Sequence, residues 1–214
     1  MPRNKDLKRL ARARMAETGE RYTQALTHLL SRPELEPLSA AWFMTGSRAL
    51  DYEAGLLPGA ITYDGSRVMR LRLRASDVEP LGFGALMQRI AATRYLGRRV
   101  RFSAMARAVE VTGWAGLWLR VDGPGGELVI DNMENRPLRG ITGWTEAAIV
   151  LDVPGEAAVL NFGALLGGAG ALDLAGLRFE EAAADVAVTA APDRVGPLRE
   201  EPWGLDFVPH DDPD

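Results

Sequence analysis

Cysteine is absent from the 214 residues, and histidine occurs only twice, as His28 and His210. The first absence removes disulfides, thiol nucleophiles and cysteine metal sites, and it is what a reducing compartment permits. The second leaves a Ser-His-Asp arrangement without a base, because neither histidine lies in the stretch that would form a pocket. Both read as surface residues. Phosphate-cradling loops are missing too, since the glycine clusters sit between strand-like runs and lack a following helix and lysine. Gly167-Gly168-Ala169-Gly170 comes nearest and reads as a hairpin turn. No apolar run approaches the roughly 20 residues of a membrane span. Met1–Leu10 opens with charge but lacks the apolar core of a secretory signal. The chain is therefore expected to remain in the cytoplasm and to need no cofactor, and it reads more readily as a binder than as an enzyme.

What is present divides into unlike parts, so the net charge of -4 says little about partners. Residues 1–31 are basic. Lys5, Lys8, Arg9, Arg12 and Arg14 stand among Leu7, Leu10, Ala11 and Met15, whose spacing of three and four is a helical stripe. Thr18-Gly19-Glu20 interrupts it, and a second helix is expected from about residue 21 to residue 30. A hairpin of two short helices cannot stand alone and has to pack on something else. Lys5, Lys8, Arg9, Arg12 and Arg14 are its candidate nucleic-acid contacts. Two short helices reach few phosphates, so such binding would be weak and salt-dependent, and a homodimer would strengthen it.

Residues 32–40 carry two prolines and mixed charge and read as a linker. From residue 41 the period changes to alternation. Met69, Leu71 and Leu73 alternate with Arg70, Arg72 and Arg74, which predicts a strand with one buried and one wet face. Val100 and Phe102 alternate in the same way with Arg99 and Arg101, and Leu117, Leu119 and Val121 with Trp118, Arg120 and Asp122. Further strands are expected at 83–90, 105–111, 128–130, 147–153, 159–166 and 172–179. Asp64-Gly65, Leu96-Gly97, Asp122–Gly126 and Pro154-Gly155 are turn signals between them. Many short strands without long intervening helices predict a mainly β fold, an antiparallel β-sandwich or jelly roll over 41–181. Residues 182–214 read as an irregular tail, with Trp203–Phe207 an apolar patch that would dock back on the domain.

The chemistry concentrates between residues 113 and 144. Alternation sets Trp118 and Arg120 on the face opposite Leu117 and Leu119. Trp114, Trp144, Asn132 and Gln88 are candidates for the same surface. Aromatic, guanidinium and amide groups together suit a polar ring or a sugar. For Trp114 and Trp144 a core position is an equal alternative. Asp122, Asp131, Asp152 and Asp173 fall at strand ends or turns, in a spacing that matches no calcium loop. The arginine rows make either a basic face or a face balanced by acids.

The segments Gly82–Gln88, Tyr95–Ser103, Gly113–Asp122, Asp131–Met133, Trp144, Leu151–Pro154 and Phe162–Gly167 together resemble a bacterial domain family of poorly defined role. Its members occur alone or joined to helix-turn-helix regulators of transcription. The resemblance covers roughly Trp42 to Glu180, and Leu205-Asp-Phe207 resembles the family's usual ending. It implies a fold similar to galactose-binding-like jelly rolls. A Trp-x-Asp element that often precedes the last strand of similar domains is replaced here by Asp173-Leu-Ala175. The basic prefix resembles a short helical segment of actinobacterial proteins. Three functions follow as expectations: a ligand-binding sandwich with a DNA-contacting hairpin, a module for a protein partner, or a carboxylate-based hydrolase or lyase.

Overall fold

The structure is a computed structural model that describes residues 33–58, 62–74 and 81–190, together with residues 8, 11, 12, 15, 19 and 21–23. Most of the expected helical hairpin, with His28, Lys5, Arg9 and Arg14, lies outside the described residues, as do Trp203–Phe207 and His210. Lys8 and Arg12 are exposed. Gly19 has φ +70° and donates its N–H to Met15 O at 2.9 Å. None of the helices among the described residues is long and apolar enough to cross a membrane.

Among the described residues, thirteen strands follow in chain order: β1 Phe43–Thr45, β2 Tyr52–Leu56, β3 Thr62–Tyr63, β4 Ser66–Arg67, β5 Met69–Leu73, β6 Phe83–Ala91, β7 Arg99–Val109, β8 Val111–Gly123, β9 Gly126–Asp131, β10 Leu138–Gly140, β11 Thr145–Asp152, β12 Val159–Gly167 and β13 Ala171–Ala182. Eleven of them form two antiparallel sheets. One has the order β1-β6-β12-β8-β10, with β9 also paired to β8; the other has the order β11-β7-β13-β5-β2. The small hairpin β3–β4 turns at Asp64 and Gly65, whose φ values of 48° and 74° are the two positive values a tight primed turn demands.

The sheets face each other over one core, and alternation decides which side chains enter it. From β8 come Ala115, Leu117, Leu119 and Val121; from β12, Leu160, Phe162, Ala164 and Leu166; from β7, Val100, Phe102, Ala104, Ala106 and Ala108; from β13, Leu172 and Leu174. Phe102 and Phe162 meet across the sheets at 5.2 Å in a T-shaped contact, and Phe162 also meets Phe179 at 4.7 Å. Edge-to-face rings are favoured by their quadrupoles beyond the area they bury.

Two sequence expectations change here. Gly167–Gly170 is no hairpin turn: β12 and β13 belong to different sheets, and this segment carries the chain across the core. Gly168 and Gly170 have φ of +77° and +101°, and a Cβ on Gly170 would strike Glu110 O. Glu110, with φ +55°, is itself the corner where β7 passes into β8. Two sheet-to-sheet crossings therefore touch, tied by Thr112 N–H donating to Ala169 O at 3.1 Å and Ala169 N–H donating to Thr112 Oγ1 at 2.8 Å. Only a residue without a side chain fits at Gly170.

The second change concerns β5, which is buried on both faces. Arg70 and Arg72 are 7% and 8% exposed. Asp173 of β13 stands directly opposite Arg70 of β5 on one side and Arg107 of β7 on the other. Arg70 donates to it at 2.6 and 2.9 Å and Arg107 at 2.6 and 3.2 Å. Trp144 lies on the Arg107 guanidinium, 4.7 Å from ring centre to charge, and Tyr63 of β3 stacks on Trp144 at 4.5 Å. The outward row is dry because Asp173 bridges the two guanidiniums and Trp144 covers one of them.

The segment read as a linker is tied to β2, with Glu36 and Leu56 exchanging both backbone hydrogen bonds. Beyond β13, Thr189 docks on β11. Its N–H donates to Val150 O at 2.9 Å, and its hydroxyl accepts from Val150 N–H at 2.8 Å and donates to Asp131 at 2.6 Å.

Candidate ligand groove

The outer face of the β1-β6-β12-β8 sheet carries a second apolar cluster, separate from the core: Ala85, Trp118 and Leu165, with Phe83, Met87 and Trp114 packed against them. Its geometry follows from the register. Trp118 of β8 stands opposite Gly163 of β12, which in turn stands opposite Met87 of β6. The absent side chain lets the Trp118 indole cross β12, and its Nε1–H reaches Leu86 O of β6 at 3.4 Å. A Cβ on Gly163 would collide with that same carbonyl oxygen.

Over this floor runs a groove of about 260 Å³. Phe83, Ala85, Met87 and Leu165 line it with both indoles, Thr45 and Gly46 close one side, and Ile130, Asn132 and Arg120 form the other. Trp118 is only 7% exposed, so it is the floor rather than a free platform. Trp114 is the more open ring. Asn132 is held by the turn after β9, where its Oδ1 accepts Glu134 N–H at 3.1 Å. The neighbouring Asp131 is buried and accepts from Met133 N–H at 2.9 Å and from Arg136 at 2.7 Å. Met133, at φ +58°, then packs on Gly116, where a Cβ would lie 3.1 Å from its own.

Arg120, which lines the groove, is tied to two residues outside its lining. Arg120 Nη2 donates to Asp122 Oδ2 at 2.9 Å, and Asn161 Nδ2 donates to the same oxygen at 2.8 Å. Arg120 Nε lies 2.9 Å from Asp122 Oδ1, close enough for charge attraction but not aligned as a hydrogen bond. Asn161 is fully buried.

The groove thus brings together Trp114, Trp118, Arg120 and Asn132. Gln88 is not among its lining. It stands opposite Phe162, on the inward row of β6. Trp144 belongs to the other sheet's outer surface, over Arg107. Phe83, Met87 and Asn161 were missed. Phe83, Ala85 and Met87 do alternate in the sequence, but only the order β6-β12-β8 carries them next to Trp118.

Each candidate carboxylate has its own arginine: Asp122 with Arg120, Asp131 with Arg136, Asp152 with Arg99, and Asp173 with Arg70 and Arg107. Burial pushes the Asp173 carboxyl up, but its two guanidinium partners outweigh this and hold it below the usual carboxylate range. Asp152 is held low mainly by its hydrogen bond from Arg99. No group of three acids or histidines is placed to hold a metal ion among the described residues. The arginine rows are matched likewise, Arg72 and Arg74 by Glu53 and Arg101 by Glu146 and Glu180.

No family model matches the chain. Among curated proteins it is similar to the uncharacterized HTH-type transcriptional regulator YbfP of Bacillus subtilis (strain 168). The two are 35% identical over 179 residues, which cover 81% of this chain and 58% of that protein. The chain therefore spans little more than half the relative's length. Among solved structures, the CBM22-1 xylan-binding domain of Paenibacillus barcinonensis Xyn10C has a TM-score of 0.47 at 15% identity, covering 76% of this chain and 96% of that one. The C-terminal family 22 carbohydrate binding module of Clostridium thermocellum Xyn10B has a TM-score of 0.46 at 14% identity, covering 68% and 87%.

Proposed function

We propose that this chain is a non-catalytic receptor whose β-sandwich, wired as a galactose-binding-like jelly roll, holds a carbohydrate or another small ring ligand in the groove over Trp118. The observation that carries this reading is the groove itself. An outward sheet face that buries two indoles, Phe83 and Met87 beside a guanidinium and a carboxamide has the composition of a ligand site, mostly apolar with a few placed polar groups. The basic residues Lys5, Lys8, Arg9, Arg12 and Arg14 are the nucleic-acid contact of the same protein, which makes it a ligand-responsive regulator. The similarity to a protein named as a transcriptional regulator supports that part.

The test is a thermal-shift screen of the full chain against sugars, nucleotides and aromatic compounds, because a ligand that binds the native state raises Tm by mass action. A specific shift that Trp114→Ala and Trp118→Ala abolish is the expected result. A ligand whose shift survives both substitutions places the site elsewhere. Binding to short DNA duplexes, followed against salt, checks the basic segment. The affinity is expected to fall steeply with ionic strength, and a salt-insensitive or absent interaction removes that half of the reading.

A further inference from the structure

The floor of the groove repeats one geometry. Trp114 of β8 stands opposite Gly167 of β12, and Gly167 opposite Phe83 of β6, as Trp118, Gly163 and Met87 do four residues further along β8. Each indole therefore leans over a glycine. A Cβ on Gly167 would lie 3.1 Å from Trp114 Nε1, just as one on Gly163 would strike Leu86 O. Between the two rows the outward positions are Gly116, Leu165 and Ala85. The glycines keep this block of β6, β12 and β8 flat, and the indole N–H groups are its only polar side-chain atoms. That of Trp118 is already spent on Leu86 O.

Polar groups stand only at the rim, and they are mostly donors. Asn132 Oδ1 is taken by Glu134 N–H, which leaves its Nδ2 for a ligand. Arg120 engages Asp122 through Nε and Nη2, and among the described residues its Nη1 has no acceptor. Thr45 brings the one hydroxyl, and no carboxylate is in the lining. An anion thus finds no unmatched guanidinium, and a cation finds no counter-charge. A sugar can lay its C–H face on an indole, but the hydroxyls around its edge need acceptors as well as donors. Over Phe83, Leu165 and Met87 they would meet only apolar atoms. Each hydroxyl held there without a partner weakens binding by about tenfold. A flat aromatic ring has no such requirement except where it carries an acceptor. The volume of about 260 Å³ lies just below the range of drug-sized sites and suits one small ring system.

We infer that the groove takes a flat, uncharged aromatic ring system with a hydrogen-bond acceptor on one edge, such as a bicyclic aromatic lactone or ketone, and that it discriminates against polyhydroxylated rings. The ring lies on the indoles, and Asn132 and Arg120 donate to its acceptor. This deepens the proposed function and rests on the groove being the ligand site. The test is equilibrium dialysis of the full chain with coumarin, naphthalene, coumarin-3-carboxylate, D-xylose, D-glucose and β-1,4-xylobiose. Coumarin is expected to bind. Naphthalene, which lacks the acceptor, and the charged carboxylate are expected to bind about tenfold more weakly, and the sugars more weakly still. Trp114→Ala is expected to abolish coumarin binding. Asn132→Leu is expected to weaken coumarin about tenfold and to leave naphthalene unchanged, and it serves alone if Trp114→Ala fails to fold. Sugars that bind as tightly as coumarin, and are lost in Trp114→Ala, overturn the ligand class while the groove stands. Naphthalene or the carboxylate binding as tightly as coumarin overturns the acceptor edge or the neutrality. Coumarin binding that neither substitution changes, or no binding by any compound, removes the groove reading and this inference with it.

Discussion

The two outer faces of this sandwich solve one problem in opposite ways. On both, the alternation of the strands directs a row of side chains away from the core, and on both that row is largely buried. The β5-β13-β7 face covers itself with charge: Arg70, Asp173 and Arg107 stand side by side, dry, under Trp144. The β6-β12-β8 face uses Met87, Gly163 and Trp118 at corresponding places. The ion-pair row fills its own layer, and a polar cavity of about 310 Å³ lies beside it, lined among others by Tyr63, Ser103, Met105, Glu146 and Arg178. A row that places a glycine between a methionine and an indole leaves a trough. Burial of the outward row is thus shared, and the two versions differ in what they leave open: an apolar groove over Trp118 on one face, a polar cavity beside the ion pairs on the other.

The largest break in this comparison is Asp173→Asn. It leaves two buried guanidiniums without their anion and is expected to cost about 3–5 kcal/mol in denaturant unfolding. The pH dependence checks the same point. The Asp173 carboxyl is held low in the folded chain, so its stabilisation is present above the ordinary carboxylate value of about 4 and is lost as pH falls through the folded value. The gap between wild type and Asp173→Asn should therefore narrow in acid. A constant gap would mean that the row is held by packing and not by charge.

Next in size is Gly163→Ala, which drives a methyl group into Leu86 O. Overpacking of this kind costs about 1–3 kcal/mol. Because the Trp118 indole lies over the same position, its fluorescence should shift with the unfolding midpoint. A neutral substitution with unchanged emission would show that the trough does not depend on the missing side chain.

The smallest effect is expected from Thr189→Val. It removes the bonds to Val150 and Asp131 at the far edge, for about 1–2 kcal/mol. Faster amide exchange at Thr189 and Met133, with β7 unchanged, is the expected readout. Unchanged exchange at Met133 would separate the tail contact from the turn that carries Asn132.

Much of this architecture was legible beforehand. The alternation of Leu117, Leu119 and Val121 against Trp118 and Arg120 has one interpretation in a strand, and it placed the indole and the guanidinium on the groove side. Asn132 lines the same groove because it closely follows the same hairpin. Gln88 was misread because a lone polar residue among apolar ones gives no parity, and the register sets it opposite Phe162. Trp144 sits just before β11, where no alternation applies, and the partner that holds it, Arg107, is thirty-seven positions away. The arginines of β5 were expected to be wet because the acids that neutralise them come from β2 and β13.

Local pattern, then, determined most of the long strands and, where apolar and polar residues alternate cleanly, which side chains share a face, since a period of two is imposed by the backbone itself. Which strands became neighbours was left to the tertiary structure, and everything that depends on neighbours went with it. Glycine beneath indole, aspartate between arginines and the trough between β1 and β9 are each made by residues distant in sequence. Their proximity is set by how two sheets bury one core, a property that no single segment carries.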